Sequence, residues 1–137
     1  MTDENRRRNL LQELARASEA FRAAEALLAL GLHSDSVSRA YYAAFHVVRA
    51  LLLSRGVEPK THARAIHLLN VEFIRPGTLP SHFNRLIAGL QRSREFADYD
   101  AATLFSSEDA AGELQSARSF EAAALDLLRR AGLLDPS

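Results

Sequence analysis

The chain has 137 residues, enough for one ordinary domain that buries roughly two-thirds of the surface its unfolded form exposes. Seventeen basic side chains balance seventeen acidic ones, which excludes a sequence-wide field for nucleic acid or anionic lipid and confines any such contact to a local patch. There is no cysteine, so disulfides, thiolate nucleophiles, zinc knuckles and iron–sulfur clusters are excluded together.

Hydrophobic residues make up 47% and charged residues 25%, the balance of a folded globular chain, and a single domain over 1–137 is expected. Lys60 is the only lysine, so the positive charge is carried by arginine forks suited to phosphate and carboxylate. The start of the chain has no apolar block of signal-peptide or membrane-span length; a cytoplasmic protein without membrane contact is the expectation. The arginines Arg6, Arg7 and Arg8 form a basic cluster that reads as a solvated face or an RNA-steering patch.

Leu10, Leu14, Ala17, Phe21, Ala24 and Leu28 alternate steps of four and three, the stripe of a first helix from about Asp3 to Leu30, closed by Gly31. Ser34 or Ser36 is expected to cap a second helix that ends at Gly56. Its wide apolar side (Val37, Tyr41, Ala44, Phe45, Val48, Leu51, Leu52) predicts a central position among several neighbours. Thr61 caps a short third helix carrying Ile66, Leu69 and Phe73, and Pro76-Gly77 stops it.

Arg75 to Ser81 is the clearest loop. A fourth helix then carries Phe83, Leu86, Ile87, Leu90 and Ala97, and the chain loosens after Asp98-Tyr99-Asp100. Ser106-Ser107-Glu108-Asp109 opens a fifth helix with acidic residues at its positive end. No segment alternates apolar and polar residues in the manner of a strand. The fold class is all-α: an antiparallel up-and-down bundle of four longer helices plus one short helix.

Residue spacing supports no metal site and no cofactor. His62 and His67 are five apart, about 140° around a helix, and the other three histidines lie in separate elements without a Glu-x-x-His partner. Neither glycine-rich phosphate loop is present, and nothing resembles a serine-hydrolase elbow.

Two stretches carry more information. Ser38-Arg-Ala-Tyr-Tyr-Ala-Ala-Phe-His-Val-Val-Arg-Ala-Leu-Leu52, followed by Pro59-Lys-Thr-His62, and then Arg92-Ser-Arg-Glu-Phe-Ala-Asp-Tyr99, resemble the HEPN domain in order, spacing and expected helices. The resemblance runs from roughly Arg16 to Leu128, and is to the small stand-alone prokaryotic HEPN proteins. It implies a helical bundle that pairs into a homodimer. Many such proteins are metal-independent ribonucleases, and some are toxins whose antitoxin is a small nucleotidyltransferase. Their motif is an arginine, four to six residues, then a histidine; in the toxin branch a tyrosine two positions on is nucleotidylated by the partner.

On this chain Arg92 and Tyr99 match that pattern, while Ala97 stands where the toxin branch has histidine. Alanine moves no proton, so a general acid–base role would need another titratable group. Arg92, Arg94, Asp98, Tyr99 and His62 are therefore the catalytic candidates, His62 provided that the fold brings it towards Arg94. Arg92, Arg94, Asp98 and Tyr99 are the main ligand-binding candidates, and Arg94–Asp98 is spaced for a local ion pair. Arg39, Tyr42 and His46 are a second polar set, expected to face the fourth helix, whereas Tyr41 and Phe45 are expected in the core.

Three functions compete on these grounds. The leading one is a HEPN module binding a nucleotide, RNA or a nucleotidyltransferase partner through Arg92 to Tyr99. The others are a toxin-like ribonuclease using a displaced base, His62 or His46, and a purely structural dimeric scaffold.

Overall fold

The computed structural model describes residues 2–102 and 104–136, and among these all regular structure is helical. Thr2 begins α1 (Asp3–Ala29) by accepting the Asn5 N–H at 3.1 Å, and Asp3 and Glu4 complement the helix dipole in the first turn. Gly31, at φ 77°, turns the chain within three residues into α2 (His33–Ser54). No side chain caps α2, and neither Ser34 nor Ser36 does so as expected: the helix begins before both. Ser36 is instead fully buried and donates to the Ala24 carbonyl at 2.8 Å, a small satisfied polar contact that lets α1 and α2 approach closely.

The pairs Ser36–Ala24 and His46–Glu13 fix α1 and α2 as an antiparallel hairpin. Helix α2 is buried nearly all round, because it packs on α1, α3, α4 and α5. Thr61 caps α3 (His62–Leu69), accepting the Arg64 N–H at 3.0 Å. The short third helix does not continue regularly to Pro76. From Asn70 to Ile74 the chain widens into a π-turn, closed by Arg75 N–H to the Asn70 carbonyl at 2.8 Å. The consecutive side chains Phe73 and Ile74 in this turn both lie in the core. Through stacking of His62 on Phe45 and of Arg55 on Phe73, α3 and this turn run alongside α2 in the same direction.

Helix α4 (His82–Tyr99) packs on α2, and α5 (Ser107–Arg130) runs antiparallel to α4, as the pairs Phe83–Phe120 and Ser93–Glu113 require. Ser106 and Asp109 form a reciprocal capping box at the start of α5. One main core joins all the helices, with Phe21, Tyr41, Leu51, Leu69, Phe73, Phe120 and Leu128 among its fully buried members. No helix among the described residues is long and apolar enough to cross a membrane. His33 Nδ1 lies 3.0 Å from the Phe105 carbonyl, tying the α1–α2 turn to the α4–α5 loop at one end of the bundle; the candidate site lies near that end.

Candidate functional site

Arg94 is the centre of the polar cluster. It leaves the inner side of α4 about one and a half turns before the helix ends, and its side chain is only 12% exposed. The guanidinium carbon lies 5.2 Å from the Tyr41 ring centroid, 5.8 Å from that of Tyr42 and 5.9 Å from that of Tyr99, within reach of cation–π attraction to all three. Nη1 is 3.6 Å from Asp98 Oδ2, the ion pair expected from the spacing. The buried Nε has no hydrogen-bond partner. Burial opposes the Arg94 charge, but Tyr42, Tyr41, Asp98 and Tyr99 outweigh it and hold the group charged above its already high ordinary value.

The fold does bring His62 to this cluster. Its ring stacks on Phe45 at 3.9 Å with 6° between the planes, lies beside both Tyr41 and Tyr42, and places Nδ1 3.0 Å from the Tyr41 hydroxyl. Burial and the neighbours Arg94, Arg49 and His46 lower the His62 pKa. Burial likewise pushes Tyr41 up to about 12, with Arg94 opposing it. We therefore assign the Tyr41 hydroxyl as donor to Nδ1 of a neutral imidazole whose proton resides on Nε2.

Arg92 and Tyr99 lie on the outer side of this centre. Together with Arg94, Glu95 and Phe96 they line an open depression of about 580 Å³ at the end of α4. Phe96 and Tyr99 are 52% and 78% exposed, an aromatic shelf beside a buried guanidinium. Ala97, between them, supplies no titratable group.

Arg39, Tyr42 and His46 share one site, but it faces α1 and not α4 as expected. They line the α1–α2 groove with Arg16 and Glu19. The reason is Glu13 on α1: its carboxylate accepts His46 Nδ1–H at 2.7 Å and Arg49 Nε–H at 3.0 Å, and this pulls the imidazole towards α1. Burial raises the Glu13 pKa, yet these two partners outweigh it and hold the group below its ordinary value. Tyr42 reaches both places, with the Arg39 guanidinium 4.8 Å and that of Arg94 5.8 Å from its ring centroid.

Sequence reasoning passed over two members of this system. Glu13 sits three residues after Leu10 and four before Ala17, inside the apolar stripe, and an acidic residue at such a position is a signal of a buried partner. Tyr41 belongs to the core, as expected, but its hydroxyl belongs to the site. The basic cluster Arg6 to Arg8 is divided: Arg6 lies against Gly56, Arg7 is 3.8 Å from Asp135, and Arg8 bonds Asn5. Among the described residues no three His, Asp or Glu side chains gather as metal ligands would.

The bundle carries an arginine–tyrosine cluster at the end of α4, and comparison with known proteins identifies its family. A family model of the HEPN domain matches residues 12–127, and the chain belongs to that family. Two proteins of Methanocaldococcus jannaschii named as putative toxins are similar to it. One is 39% identical over 61% of this chain and 62% of its own length, the other 32% identical over 76% and 71%. A UPF0332 protein of Gloeobacter violaceus is 36% identical over 79% of this chain and 87% of its own. The chain thus spans somewhat less than two-thirds of the first of these relatives.

Proposed function

We propose that this chain is a toxin-like HEPN module that binds the phosphate of a nucleotide or RNA strand at Arg94. The observation carrying this reading is the Arg94 guanidinium itself: buried, with one carboxylate at 3.6 Å, an unpartnered Nε and a cage of three tyrosines. Such a group is fixed in place before a ligand arrives, so little ordering cost remains, and its fork suits a phosphate oxygen pair. The exposed Phe96 and Tyr99 rings offer stacking surface for a base beside it. In this reading the chain works as a cytoplasmic homodimer with a nucleotidyltransferase as regulatory partner, the arrangement its family membership suggests.

Calorimetric titration with uridine monophosphate and a tetrauridylate, on wild type and Arg94→Gln, tests the reading. Binding that falls at least tenfold in a variant with unchanged circular dichroism supports it; equal binding by both proteins retires Arg94 as the phosphate site.

One observation favours a second reading, ribonuclease activity. His62 lies in the same cluster as Arg94, neutral and with the Tyr41 hydroxyl bonded at Nδ1, so that it can take a proton there by relay through that hydroxyl. Incubation of purified wild type, Arg94→Gln and His62→Gln with total RNA decides it. Cleavage lost in both variants supports a displaced base, and the absence of cleavage by wild type rejects it.

A further inference from the structure

The α1–α2 groove lies next to the Arg94 cluster, with Tyr42 common to both. Its volume, about 360 Å³, falls within the range of small-ligand sites. Three cationic or proton-bearing groups converge there. Arg16 and Arg39 are exposed and line it from α1 and α2. His46 lines it between them with Nδ1 committed to Glu13, so the remaining ring nitrogen, Nε2, is the one polar atom it has to offer a ligand, a donor to phosphate in the imidazolium form. The Glu13 contact also fixes the ring's orientation, as an outer-shell carboxylate does for a histidine in a working site. Of the two nearby carboxylates, Glu13 is already matched by Arg49, and Glu19 alone stands against two arginines.

We propose that this groove is a second phosphate-binding site, in which Arg39, Arg16 and the Glu13-held His46 take one phosphate of a single-stranded oligonucleotide whose neighbouring phosphate lies at Arg94. The link between the sites is Tyr42. The Arg39 and Arg94 guanidinium carbons each lie within 5.8 Å of its ring centroid, so the two cations are separated by no more than about twice that distance. A mononucleotide phosphate meets one of them; a strand passes both. From the groove, the track continues over Tyr42 and Arg94 to the aromatic shelf of Phe96 and Tyr99, the alternation of cations and rings that single-strand sites use. The linked track rests on the proposed phosphate role of Arg94; the groove's own affinity for phosphate does not.

The test follows the histidine ring signals of the full chain by NMR while uridine monophosphate or tetrauridylate is added, with affinities measured in parallel. The tetranucleotide is expected to bind at least tenfold more tightly than the mononucleotide and to shift the His46 signals. Arg39→Ala, a change at an exposed side chain, is expected to weaken the tetranucleotide fivefold or more and leave the mononucleotide unchanged. Arg39→Lys recovers part of that loss, and the slope of log affinity against log salt falls by about 0.7 for the removed phosphate contact. Tetranucleotide binding with still His46 signals and no effect of Arg39→Ala overturns the groove while sparing Arg94. His46 shifts that persist in Arg94→Gln at undiminished affinity support the groove and overturn the Arg94 reading. No binding of either ligand overturns both.

Discussion

Glu13→Gln is the substitution for which the fold makes the sharpest demand. The Glu13, His46 and Arg49 side chains are 18%, 25% and 27% exposed, and one carboxylate serves both partners. Glutamine keeps the shape but removes the charge, leaving a largely desolvated guanidinium facing a neutral amide. A hydrogen bond to a charged group contributes about 1.5–3 kcal/mol net, and breaking a fully buried pair costs about 3–5 kcal/mol. Since water still reaches about a quarter of each group, a loss of about 2 kcal/mol is expected, or roughly 6 °C in Tm for a chain of this length.

The sign of the pH dependence follows from the Glu13 carboxyl, which is held below its ordinary 4.5 in the folded chain. Its stabilisation is therefore fully present above pH 4.5 and is lost as the pH falls through the lower folded value. The gap between wild type and Glu13→Gln should be widest near neutrality and close in acid. Because the chain has no tryptophan, the assay is urea unfolding followed by far-UV circular dichroism, at fixed protein concentration so that any self-association cancels. A midpoint unchanged at neutral pH, or a gap that does not vary with pH, refutes the reasoning.

Three further outcomes are expected. Tyr41→Phe removes the donor to His62 Nδ1 and should cost about 1 kcal/mol in the same urea assay, with the core otherwise intact. Arg94→Gln should move the His62 titration, followed by NMR, upward towards its ordinary 6.5, since Arg94 is the largest of the charges lowering it; an unmoved pKa would mean that the two do not interact. Because the folded His62 pKa lies below 6.5, its contribution to stability is present above that pH and declines as the pH falls through the folded value. Phe73→Ala, at a fully buried ring under the stacked Arg55, should lose about 3–5 kcal/mol, and a loss below 1 kcal/mol would show that the π-turn collapses around the cavity.

The sequence by itself determined the helices, because each depends on local signals: three-and-four apolar spacing, Thr61 and Ser106 as caps, and the Arg75 to Ser81 loop. It also determined that Arg94 and Asp98 would pair, since residues four apart on a helix are neighbours whatever surrounds them. The HEPN resemblance was legible for the same reason, since each stretch that carries it is a short local run.

The tertiary structure decided what depends on residues far apart in the chain. Ser36 looked like a cap but lies inside a helix interface, because Gly31 turns the chain tightly enough to start α2 at His33. His46 looked as though it would face α4 but turns to α1, because Glu13, 33 residues earlier, accepts its Nδ1–H. His62 reaches Arg94 only because the connection after α2 returns the chain to the level of Phe45 before α3 begins, a direction that no local pattern encodes. The pairing of a buried charge is a long-range fact: the side chain that satisfies it is selected by packing, and packing is settled by the whole chain at once.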